Sequence, residues 1–145
     1  MPQPSNARRR PALLPTYDAR ELAAIFVGGV VGALARAGLT QAVATRPGDW
    51  PWATFAVNVL GAFLLGYFAV RLRERLPVSM YRRPLLGTGF CGAFTTFSTM
   101  QVELLRMLDR DHLGLAAGYA AASIATGFVT VTPAAAIVRR VRVIA

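Results

Sequence analysis

Four stretches of the 145-residue chain are nearly free of charge and long enough to cross a bilayer: residues 22–44, 52–70, 85–105 and 113–138. A helix rises 1.5 Å per residue, so about 20 apolar residues cover the roughly 30 Å of hydrocarbon. Acidic side chains are absent from the first, second and fourth stretches, and the third holds only Glu103, near its end. The pattern predicts an all-α integral membrane protein with four transmembrane helices. Residues 21–145 then form one four-helix unit, and residues 1–20 a disordered, Arg/Pro-rich cytoplasmic tail. That tail carries Pro2, Pro4, Pro11, Pro15 and an arginine triplet, and its apolar patch at residues 12–14 is too short for a signal peptide.

The few small and polar positions inside the spans are not scattered. Gly28, Gly32 and Arg36 are spaced four apart and share one helix face with room for close approach. Ordinary helix packing accounts for the glycines as well as a direct role does. Arg36 either snorkels to the interface or serves a structural or vestibule role. Trp50 and Trp52 open the second span where an interfacial aromatic belt is expected. Asn58 is the one strongly polar side chain deep in that span, either an interhelical hydrogen-bonding group or a pore-lining donor.

The third span reads LLGTGFCGAFTTFSTMQVELL, with three glycines followed by Thr95, Thr96, Ser98 and Thr99 around Phe97. Glycine freedom and hydroxyls that compete for backbone groups make this a poor helix former, so a break is expected around residues 92–95. Backbone freed at that depth is tolerated where it is buried in protein, binds an ion or lines a watery cavity. The alternative is an intact helix whose hydroxyls bond back one turn. In the fourth span, Gly114 and Gly118 suit helix contact, while Tyr119, Ser123, Thr126 and Thr130 form one polar stripe. Pro133 is placed to bend its far end. His112 reads as a solvated loop residue.

Composition fits this picture: 54% of residues are hydrophobic, 16% are charged, and the mean hydropathy is +0.44. All 16 basic residues are arginine, and with 7 acids they give a net charge of +9. In a soluble protein that would suggest nucleic acid; here the arginines flank the apolar runs, and no nucleic-acid partner is expected. Counting only flanking arginines puts twelve on the side of the two termini and of the connection between spans two and three. Arg46, Arg106 and Arg110 lie on the other side. The positive-inside rule therefore predicts a multi-pass protein of the inner (plasma) membrane with both termini in the cytoplasm. Cys91 is the single cysteine, which excludes an intrachain disulfide.

Catalytic chemistry is hard to find, and no enzyme is expected. The chain has no phosphate-binding glycine loop, no His/Cys cluster and no nucleophile with a plausible base. A proton-coupled drug exporter of this size would need a carboxylate deep in the first span, which has none. A membrane scaffold would explain the small-residue faces but not the polar break. The spans offer neutral donors: an amide, several hydroxyls and the positive edges of phenyl rings. These suit a small, hard anion, which they can strip of water without trapping it.

The motif GFCGAFTTFSTM at residues 89–100 resembles the third-helix signature of the CrcB/Fluc fluoride channel family. GGVVGALAR at residues 28–36 and FAVNVLGAFLLG at residues 55–66 resemble its first- and second-helix patterns. The resemblance implies a fluoride-specific channel that exports fluoride passively, confers fluoride resistance and works as an antiparallel dimer. It implies a structural, untransported Na⁺ on the backbone carbonyls of Gly92 and Thr95. It implies a fluoride pathway along Asn58, Phe97, Thr96, Ser98, Thr99, Met100, Tyr119 and Ser123, with Arg36 and Glu103 at the vestibule. Two departures stand out. Met100 falls where the family has a second pore phenylalanine. The arginine asymmetry predicts one fixed orientation, hence pairing with a related, oppositely oriented subunit.

Overall fold

A computed structural model describes residues 18–43, 48–74 and 79–140. Most of the expected tail, up to residue 17, lies outside the described residues, as do Arg46, Arg75 and Arg142. The elements are α1 (Ala19–Ala42), α2 (Trp52–Glu74), a π-helix (Pro84–Cys91), α3 (Gly92–Phe94), α4 (Phe97–Leu108) and α5 (Leu113–Arg140), with no strand among the described residues. Three of them, α1, α2 and α5, are long and apolar enough to cross a membrane. The expected third span is divided between the π-helix with α3 and the separate α4.

Helix ends follow local chemistry. Asp18 caps α1, its carboxylate accepting the Arg20 amide at 2.9 Å, and Glu21 adds a favourable acid in the first turn. Arg71 and Arg73 close α2 at the negative end of its dipole. Pro133 sits inside α5 and cannot donate to the Val129 carbonyl; the Thr132 hydroxyl takes that acceptor instead, at 3.0 Å.

The helices pack as two parallel pairs. α1 lies along the π-helix and α3 in the same direction, because glycines remove the side chains that would hold the backbones apart. A Cβ on Gly89 would come within 2.5 Å of the Ile25 carbonyl oxygen, and one on Gly28 or Gly32 would run into the backbone of Leu85 or Phe90. α2 lies along α5, with Gly66 against Val131 and the Arg139–Glu74 ion pair at 3.2 Å near their ends.

α4 has much less cover. One side meets α5 through a small core of Met100, Met107, Ala116 and Tyr119, flanked by Trp50, Phe55, Leu104 and Leu115. Several large apolar side chains face outward: Phe26 is 72% exposed, Phe97 70% and Phe128 77%. In water such surface would drive aggregation; against lipid or another subunit it is the expected solvent-facing pattern.

Candidate functional site

The interruption falls at Thr95 and Thr96, both extended (φ −76°, ψ 154° and φ −145°, ψ 112°). Gly92 keeps ordinary helical angles, so glycine freedom is not what ends the helix there. The threonines end it. Both the amide and the hydroxyl of Thr95 bond back to the Cys91 carbonyl, at 3.0 and 2.9 Å. Thr96 is the N-cap of α4, its hydroxyl oxygen accepting the Thr99 amide at 3.2 Å while its proton goes to the Thr99 hydroxyl at 2.8 Å. Ser98 stands 3.4 Å from the same oxygen.

Asn58 holds the gap open from α2. Its Oδ1 accepts the Thr96 amide at 2.8 Å and its Nδ2 donates to the Thr96 carbonyl at 3.0 Å. The Asn58 amide thus replaces the bond that the Thr96 amide would have made to Gly92 in a continuous helix, and adds a second donor to the Thr96 carbonyl, which as the N-cap residue already accepts the first bond of α4. A consequence follows for the carbonyls upstream. In an uninterrupted helix, Gly92 would accept from the Thr96 amide and Thr95 from the Thr99 amide. The first amide is given to Asn58 and the second to the Thr96 hydroxyl. The Ala93 carbonyl has a different partner, Arg36 Nε at 3.1 Å. Arg36, half-buried, therefore turns inward to the gap.

Beside the interruption lies a cavity of about 350 Å³ lined by Asn58, Thr95, Thr96, Phe97, Met100 and Ser123, with Gly61 and Gly127 among the residues completing its wall. Gly61 is needed there: a Cβ would strike the Thr95 methyl group. The Ser123 hydroxyl is buried without a hydrogen-bond partner, and Asn58 keeps one of its two N–H groups. Met100 is buried, whereas the Phe97 ring stands largely exposed at the rim.

A second polar group sits further along α4. Glu103 accepts from the Thr54 hydroxyl at 2.6 Å and the Tyr119 hydroxyl at 2.8 Å, tying α2, α4 and α5 together through one carboxylate. Tyr119 is fully buried and does not line the cavity. Trp50, expected as a membrane-interface anchor, packs edge-on against Tyr119 with ring centroids 5.4 Å apart, whereas Trp52 is 61% exposed.

The polar stripe of α5 divides. Thr126 and Thr130 bond to their own helix, to the Ala122 and Thr126 carbonyls at 2.6 Å each, while Ser123 faces the cavity. Thr54 was not singled out from the sequence. The signal was present, since it precedes Asn58 by four residues on the same helix face.

Fold and site together define a helical membrane protein whose polar groups, Arg36 among them, converge on an interrupted helix. The chain belongs to the CrcB-like family: the sequence profile described as "CrcB-like protein, Camphor Resistance (CrcB)" matches residues 23–135. It is 64% identical to the "Fluoride-specific ion channel FluC 1" of Mycolicibacterium paratuberculosis, over 88% of this chain and 96% of that protein. Identity to the protein of the same name from Mycobacterium bovis is 59%, over 90% and 98% of the two chains. A more distant relative, the "Fluoride-specific ion channel FluC" of Koribacter versatilis, is 38% identical over 84% and 98%.

Proposed function

We propose that the protein is a subunit of a fluoride-specific ion channel that lets fluoride leave the cell passively and so limits its toxicity. The observation that carries this reading is the cavity at the interruption, whose free donors are neutral: one Asn58 N–H and the buried Ser123 hydroxyl. The printed names of the relatives supply the ion. Fluoride gives up its hydration only to compact donors, and a neutral set releases it again where a fixed cation would hold it. Hydroxyls of Thr96, Ser98 and Thr99 and the positive edge of the Phe97 ring extend the donor path. Met100 narrows it with a flexible thioether. Tyr119 and Thr54 give their protons to Glu103, tempering a carboxylate that would otherwise repel a passing anion. A negative cell interior drives efflux by about 2.3 kcal/mol per charge per 100 mV, so no coupled ion is required.

In this reading, the stretch 84–108 crosses the membrane as the third of four spans, interrupted near mid-depth, with both termini cytoplasmic. Two oppositely oriented subunits pair, the second being a paralogue because the arginines fix this chain's orientation. The Gly92 and Thr95 carbonyls fit a structural Na⁺, since the amides that would have closed on them are given elsewhere. When bound, the ion would supply a positive charge beside the interruption.

Fluoride efflux from Na⁺-loaded liposomes, read with a fluoride electrode and compared with chloride efflux, tests the reading. Fast fluoride-selective efflux, from this chain alone or with its co-expressed paralogue, supports it. Absence of efflux in both preparations overturns it.

A further inference from the structure

We propose that Arg36 is a positioning residue that decides which carbonyls of the interrupted helix remain for a cation; the proposal rests on the reading of Gly92 and Thr95 as Na⁺ ligands. Ending a helix leaves its last carbonyls without donors, and their partial negative charge attracts cations. Ala93 lies between Gly92 and Thr95 and would have accepted the Phe97 amide. Its carbonyl is met instead by Arg36 Nε, at 3.1 Å across 57 positions of sequence. The side chain is delivered there by the backbone contact at Gly28 and Gly32, which share its face of α1 and press that helix onto the π-helix and α3.

Asn58 from one side and Arg36 from the other thus hold Thr96 and Ala93, and leave Gly92 and Thr95, with Phe94 between them, without the helical donors they would have had. The role needs the Nε donor, not the charge. A guanidinium so close to a cation site works against cation binding, and its presence is explained by the carbonyl it holds in place. With Ala93 unheld, the turn Gly92–Phe94 can rotate and the two ligand carbonyls lose their aim.

Glutamine places its amide nitrogen the same number of bonds from the backbone as arginine Nε, and methionine places a methyl group there. The experiment uses the full-length protein in detergent and follows its melting temperature as Na⁺ replaces choline, giving a half-saturating Na⁺ concentration. Fluoride efflux is read in parallel. Arg36→Gln is expected to bind Na⁺ at least as tightly as the unmodified protein. Arg36→Met is expected to need about tenfold more Na⁺, the effect of orphaning one buried acceptor.

Equal weakening in both variants would mean that charge is what matters and would overturn the proposal, as would an unchanged Na⁺ response in Arg36→Met. Should that variant fail to fold, Arg36→Gln decides alone, a tenfold loss overturning the proposal and retained affinity supporting it. An unmodified protein that does not respond to Na⁺ would overturn the Na⁺ site and this proposal together, while a normal response with unaffected variants would overturn only the role of Arg36.

Discussion

The two halves of the divided third stretch are held in opposite ways. Upstream, the π-helix and α3 lie against α1 with backbone touching backbone, and Gly28, Gly32 and Gly89 leave no volume between them. Downstream, α4 is thinly covered and is positioned by directed polar contacts: Asn58 on Thr96, and Thr54 and Tyr119 on Glu103. Close-packed contact resists any change of volume, whereas hydrogen bonds set direction and are replaced at lower cost. The upstream half is thus fixed by packed volume, and the downstream half, which begins at the threonines that end the helix, by the direction of its hydrogen bonds.

Four substitutions would break or sharpen that contrast, in descending order of effect. Gly28→Val drives a side chain into the Leu85 carbonyl and the Phe90 backbone, neither of which can swing aside, and should abolish recovery of folded protein on size-exclusion chromatography. Asn58→Leu keeps the shape but leaves the Thr96 amide unpaired and takes one of two donors from the Thr96 carbonyl. It should cost about 3 kcal/mol in a denaturation assay and reduce fluoride efflux about a hundredfold. A variant that conducts normally would remove Asn58 from both roles. Tyr119→Phe deletes one hydroxyl while Thr54 still holds Glu103, so a loss of about 1 kcal/mol and a severalfold slower flux are expected. Gly29→Ala stands one residue from Gly28 on the open face of α1, where no atom lies within 4 Å of an added Cβ. It should be neutral or raise the melting temperature slightly through helix propensity, by up to about 1 kcal/mol. Destabilisation there would reveal a second subunit covering that face.

Reading the residues in order found most of the elements and many of the groups at the site. Apolar run length located α1, α2 and α5, and the clustered hydroxyls marked the stretch where helix ends. The interruption was expected at residues 92–95 and falls at Thr95 and Thr96. The shift has a physical cause: glycine permits a break without requiring one, whereas a capping threonine with a partner across the bundle produces it. That partner, Asn58, lies 38 positions away, beyond what local propensity can register. The Glu103 cluster was hidden for the same reason. Thr54, Glu103 and Tyr119 are ordinary residues on three helices until packing brings one carboxylate between two hydroxyls.

What the sequence by itself determined is the solvent of this protein. Apolar runs of bilayer length leave a helical membrane protein as the stable outcome, because this follows from transfer energies that depend on residue type alone. Tertiary structure decided which polar groups are spent and which are free. Arg36 turns inward to Ala93, Tyr119 is committed to Glu103, and Ser123 is left without a partner. A hydrogen bond depends on a few tenths of an ångström between groups far apart in the chain, and only the packed helices set that distance.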